Sequence, residues 1–146
     1  MPDALYREAA RAGIRIVDWP LPEPILGLYL RDDDELDTPV IVLSPLLHTR
    51  PALHRTVLAE ELGHHHTSSG YCLALNRAQT YSDMIAASRA EHKALRWAAL
   101  RLMPPAEFLA AIRCGLRVDE LAEEFGVTHG LLLYRIGLAQ RMQEIA

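Results

Sequence analysis

Two rhythms of apolar and polar residues run along this chain. Between Ile14 and Leu43 the apolar residues come in short extended runs: Ile14 to Val17 alternates apolar residues with Arg, Ile25 to Leu30 reads as a strand, and Val40 to Leu43 reads as another. The stretch Trp19-Pro20-Leu21-Pro22-Glu23-Pro24 holds three prolines in six residues, and it predicts an extended, stiffened connector. Arg31 to Thr38 is an acidic turn, so the strands on either side of it predict an antiparallel hairpin with a long loop.

Elsewhere the pattern is helical. Residues 3–12 predict a short helix ended by Gly13. Ser44 to Arg50 reads as a loop, and Pro51 suits the first turn of the next helix. On that helix Leu53, Val57, Leu58 and Leu62 span the apolar half, while Arg55, Thr56, Ala59, Gly63 and His66 fill the opposite side, which puts His66 toward water. Thr67 to Gly70 ends it, and Tyr71 to Tyr81 is a poorly patterned connection. Ser82 or Asp83 can cap a long helix that Pro104-Pro105 stops. Counting from Glu91, apolar residues follow at Ala94, Leu95, Ala98 and Leu102, the spacing of a buried stripe, and Trp97, Leu100 and Met103 read as core. Pro105 to Arg113 predicts a short helix ended by Gly115. Val118 to Thr128, followed by Gly130 to Met142, has the layout of a helix-turn-helix. The fold class expected is α+β, with a small antiparallel sheet of two or three strands packed on helices. Residues 1–146 read as one domain whose part from about 105 to 146 is helical.

Composition narrows the picture only slightly. With 146 residues, half of them hydrophobic, the chain can bury one core, and a net charge of −4 suggests neither a nucleic-acid nor a membrane surface. The first helix of the helix-turn-helix-like unit is acidic and the second carries only Arg135 and Arg141, too sparse for a phosphate footprint. Packing on the rest of the domain, or against a protein partner, is the better expectation for it. Cys72 and Cys114 form no disulfide framework, Met1 to Gly13 is no signal peptide, and no apolar run reaches the ~20 residues of a membrane span, which leads to the expectation of a cytoplasmic protein. The acidic run does not follow calcium-loop spacing and reads as a solvated loop.

Candidate chemistry sits in Leu58-Ala-Glu-Glu-Leu-Gly-His-His-His66. At about 100° per residue, Glu60 and His64 lie on one face of a helix, and Glu61 lies about 60° to the side. This is the layout of a H-E-x-x-H zinc helix with Glu60 in the first ligand position. Two carboxylates and an imidazole beside an apolar arc are costly unless they are paired or bound to a metal; the alternative is a solvated helix end with a chance run of three His. Glu91, opening the stripe of the later helix, offers a further inward carboxylate. Together these groups suggest a three-ligand metal site with one open position. His48 and His54, near the start of the first of these helices, read as surface or packing residues.

Ala-Glu-Glu-Leu-Gly-His, followed about 30 residues later by Glu-x-x-Ala-x-x-Trp-Ala-x-x-x-Leu-Met-Pro, resembles the ImmA/IrrE metallo-endopeptidases, particularly the phage-type branch, from about Gly27 to the C-terminus. The resemblance implies a zincin-like fold in which His64 and Glu91 are metal ligands and Glu61 is the catalytic base, with Glu60 in the place usually held by His. It implies zinc, and a shell of two carboxylates would acidify water less and could favour manganese. His65 or His92 could stand in for Glu60. Tyr71 or Tyr81 could donate to an oxyanion, and the hairpin is the candidate platform for an added substrate strand. The substrate implied is a helix-turn-helix transcriptional repressor of a phage or mobile element. Two other readings stay open: a pseudopeptidase that binds the repressor as an adaptor, and a DNA-associated regulator.

Overall fold

The computed structural model describes residues 3–31, 38–67 and 81–145, with side chains in the last stretch from Ser88 onward. Helix α1 (Asp3–Arg11) turns its Leu5 and Ala9 inward, one above the other. Gly13, at φ 74°, reverses the chain, and Ile14 N–H reaches back to the Ala9 carbonyl at 2.9 Å. Three strands follow: β1 (Arg15–Asp18), β2 (Gly27–Leu30) and β3 (Val40–Leu43).

The hairpin expected from the sequence is present, with β2 and β3 antiparallel and Gly27 opposite Leu43. The sheet is not antiparallel throughout. Its order is β1-β3-β2, and β1 pairs parallel to β3 in the register Arg15 to Val40. Val-Ile-Val-Leu in β3 carries no polar side chain, so it takes the central place, with both edges paired, Ile41 and Leu43 buried and Val40 and Val42 half-buried. Arg15 and Asp18 at the ends of β1 are exposed and suit an edge. The chain thus crosses from β1 to the far edge, forms β2, and returns to insert β3 between them. The strand expected from Ile25 starts only at Gly27, because Ile25 N–H is taken up in a turn with the Pro22 carbonyl. Ser44 to Arg50, read as a loop, contains a 3₁₀ helix over Pro45–Thr49, with Ser44 Oγ accepting from Leu46 N–H. The acidic run 32–37 and the segment 68–80, including Tyr71 and Cys72, lie outside the described residues, as does the side chain of Tyr81.

Helix α2 (Pro51–Thr67) starts at Pro51 as expected, but it is buried on more sides than its wheel suggests. Thr56, Ala59 and Gly63, assigned to the solvent side, are buried along with Val57, Leu58 and Leu62. The reason is tertiary: one side faces the sheet and the other faces the later helices, so an Ala, a Gly and a Thr provide a surface flat enough for close packing. Thr56 Oγ1 accepts from Thr128 N–H at 3.1 Å. His66 is exposed as expected, and it stacks on Trp97 at 4.8 Å between ring centroids. Trp97 is accordingly only partly buried, at the margin of the core.

Helix α3 (Tyr81–Leu102) already includes Tyr81, so Ser82 and Asp83 sit inside its first turn and are not its caps. Pro104 and Pro105 do end it, and α4 (Pro105–Arg113), α5 (Val118–Phe125) and α6 (His129–Arg141) complete the chain. Gly126, left-handed at φ 62°, makes the turn between α5 and α6. Arg135, counted from the sequence as a possible surface cation, is fully buried. Its Nε donates to the Met103 carbonyl at 2.9 Å, its Nη1 pairs with Glu144 at 2.9 Å, and its guanidinium lies 4.4 Å from the Phe108 ring centre. It ties α6 to the end of α3 and is not available for phosphate.

His54 is a packing residue. It is buried at the start of α2, with Nε2 2.8 Å from the Tyr6 hydroxyl, so it helps hold α1. Burial first, and His48 beside it, push its pKa below the ordinary 6.5. The unfolded chain therefore takes up this proton at a higher pH than the folded one. Stability from this group is complete above about 6.5 and declines as pH falls through that value toward the folded pKa. Thermal melts at pH 7.5 and 5.5 should show a smaller loss for His54→Gln than for the wild-type chain.

Candidate functional site

The site is made where α2 crosses α3. Gly63 permits that crossing: a Cβ built on it would stand 2.5 Å from the Ala94 carbonyl oxygen and 2.9 Å from the Ala94 Cα. Backbone therefore rests on backbone, and the residues flanking this contact are drawn together. One residue beyond Gly63 on α2 and one turn before Ala94 on α3, His64 Nε2 and Glu91 Oε1 lie 3.3 Å apart. The His64 side chain is 12 % exposed and that of Glu91 59 %, so the pair lies at the wall of an open cleft. The hydrogen bond to His64 holds the Glu91 carboxyl below its usual range. Burial works against a charged His64, yet the bond to Glu91 and the carboxylates of Glu61 and Glu60 raise its pKa overall.

Glu60 lines the same cleft, about 400 Å³ in volume, with Ser88, Glu91, His92 and Leu95. Burial, then the nearby charge of Glu91, push its carboxyl up to about 7 despite His64. Glu61, one step around α2 from Glu60, faces strand β2 while staying within electrostatic reach of His64 and Glu91. A Cβ on Gly27 would stand 2.7 Å from Val57 Cγ1, 3.1 Å from Glu61 Cγ and 3.2 Å from Glu61 Oε1, so the missing side chain at the start of β2 makes room for the Glu61 carboxylate. Burial raises this carboxyl to about 7 as well, opposed by His64 and assisted by Glu91 and Glu60. A carboxylate with its pKa near neutrality can both take up and release a proton at physiological pH.

The two alternative ligands part company. His92 lines the cleft beside Glu60 and Glu91. His65 turns toward the sheet, with Nδ1 2.7 Å from the Tyr29 hydroxyl. Gly27, Tyr29 and Gly63 were not singled out by sequence reasoning. A signal existed for Gly63, since a glycine inside a helix costs about 1 kcal/mol and so suggests a close approach; none existed for Tyr29, whose partner is 36 residues away.

Among the described residues, no three His, Cys, Asp or Glu side chains stand together closely enough to hold a metal ion as they are. The pair that does meet fits one. Two donors at about 2.0–2.1 Å from a tetrahedral zinc are themselves about 3.3–3.4 Å apart, and the separation of His64 Nε2 from Glu91 Oε1 is 3.3 Å. One imidazole and one carboxylate from facing helices, with a second carboxylate lining the same cleft, are a donor set suited to zinc.

A small sheet lies on a helix that presents Glu-Glu-x-x-His, and a carboxylate from the next helix meets the imidazole. In a comparison with known families, the Peptidase_M78 model, described as the IrrE N-terminal-like domain, matches residues 9–137. The chain belongs to this family. No curated protein and no solved structure matches it.

Proposed function

We propose that this protein is a zinc-dependent endopeptidase whose substrate is a helix-turn-helix transcriptional repressor of a phage or mobile element, and that it acts in the cytoplasm. The observation that carries the reading is the meeting of His64 and Glu91 across two helices, next to Glu60 and with Glu61 on the adjoining face. His64, Glu91 and Glu60 would hold the metal, zinc by preference and manganese as the other cation suited to two carboxylates. When bound, the metal would acidify a water and polarise a peptide carbonyl. Glu61 takes the proton from that water on a carboxylate oxygen as the water attacks, and passes it to the leaving amine nitrogen. What supports this role is that the Glu61 side chain lies against Gly27 at the start of β2, an edge strand on which an extended peptide could lie. The repressor as substrate rests on the family resemblance.

An adaptor that binds the repressor without cutting it is the second reading, and it is supported by Glu60 standing where the family resemblance implies a His. The DNA-associated reading loses support from Arg135, one of two arginines on α6, which is buried. Elemental analysis of the purified chain separates the first two. About one zinc or manganese per chain is expected, with affinity reduced at least about 100-fold in His64→Ala and in Glu91→Ala. A wild-type protein that retains no metal after dialysis would favour the adaptor.

A further inference from the structure

Strand β2 is an edge strand of the described sheet, and it meets α2 at Gly27 and at Tyr29. Gly27 abuts Glu61, and two residues on, Tyr29 bonds His65, four residues beyond Glu61. Two residues of strand rise about 6.6 Å and four residues of helix rise about 6 Å, so strand and helix run side by side in step. The pairing with β3 fixes what the outer edge presents. Ser44 N–H bonds the Leu26 carbonyl, and Leu26 is therefore in an inward, hydrogen-bonded pair. Antiparallel ladders alternate, so the N–H and C=O of the next residue, Gly27, point away from β3 to the outer edge. The backbone groups that a substrate strand would use thus sit immediately beside the carboxylate that acts on it.

We propose that the Tyr29–His65 hydrogen bond is a register pin, which holds the edge of β2 at a fixed axial position relative to Glu61 and so selects which peptide bond of an added substrate strand meets that carboxylate. The inference rests on the peptidase reading above. Tyr29 is buried, 6 % exposed, and packs edge-on against the His65 ring at 5.6 Å, so the bond joins two side chains that are already held by packing. Both are positioning residues: neither touches the reacting atoms. Losing the bond loosens the hold of α2 on this edge near Tyr29, while the β3 ladder and the approach of Gly27 to Val57 and Glu61 keep β2 in the sheet, so the edge tilts relative to Glu61. Side-chain direction repeats every second residue, so a slipped substrate keeps the same faces in and out only by moving two residues at a time.

The test uses the full-length metal-loaded chain and a randomised decapeptide library, with cleavage positions mapped by mass spectrometry. Tyr29→Phe is expected to keep its metal content, to raise KM about 5- to 10-fold with kcat little changed, and to yield new products displaced by two residues from the wild-type bond. His65→Leu removes the same bond from the other side and should give the same displaced products with metal retained; loss of metal in this variant would make His65 a ligand and overturn the pin. An active Tyr29→Phe that cleaves only at the wild-type position, or that loses kcat alone, also removes the pin and leaves the peptidase reading standing. A wild-type chain that cleaves nothing removes the peptidase reading and the pin with it.

Discussion

Glu61→Gln is expected to lower cleavage of a co-expressed repressor by about 10²- to 10⁴-fold, the contribution of a positioned general base, while bound metal stays at the wild-type level. Gln has the shape of Glu, so it can occupy the space that Gly27 leaves open without disturbing β2. It has no carboxylate with which to accept a proton. The environment of Glu61 is what makes the comparison informative: burial holds its carboxyl at about 7, so the wild-type group exchanges protons near neutrality and the amide cannot. Retained cleavage in Glu61→Gln, measured by product bands on a gel with metal content determined on the same sample, would remove Glu61 from the mechanism.

Gly63→Val should have the larger structural effect. A glycine in a helix interior normally gains up to about 1 kcal/mol when replaced by alanine, and a surface glycine in α2 would follow that rule. Here the new Cβ would lie 2.5 Å from the Ala94 carbonyl oxygen, and the atom in the way is backbone, which cannot rotate aside. Either α3 moves or the overlap persists. Overpacking of this kind costs about 1–3 kcal/mol for the alanine and more for valine, and for a chain of this size a 3 kcal/mol loss corresponds to roughly 6–12 °C in Tm. The same displacement withdraws Glu91 from His64, so zinc affinity should fall in parallel with stability. A Gly63→Ala protein that melts higher than wild type and binds zinc equally well would show that the two helices do not meet as described.

Some of the site was legible because it is local. Glu60, Glu61 and His64 are four residues apart at most, and helical geometry alone places them on adjoining faces of α2 once Pro51 has started it. The helix-turn-helix-like layout after Val118 was legible for the same reason, and the structure adds the local devices that make it, a left-handed Gly126 and a cap at Thr128. The surroundings of α2 were not legible. Thr56, Ala59 and Gly63 are small or only weakly polar, and a wheel drawn for one helix cannot tell a solvent face from a face covered by another helix. Arg135 is the sharper case: on composition it is a surface cation, and only the Met103 carbonyl, Glu144 and the Phe108 ring together make burial tolerable.

The sequence by itself determined the kinds of element and the donor types: short strands between Ile14 and Leu43, helices from Pro51 onward, and a Glu-Glu-x-x-His group awaiting a further acid. Those properties depend on neighbours within a few residues, so a linear pattern can express them. Only the tertiary structure decided that β3 lies between β1 and β2, that Gly27 opens space for Glu61, and that Gly63 on Ala94 brings Glu91 to His64. These contacts join residues far apart in the chain, and what selects them is whether backbones can approach and bury their surfaces together, which no spacing along the sequence encodes.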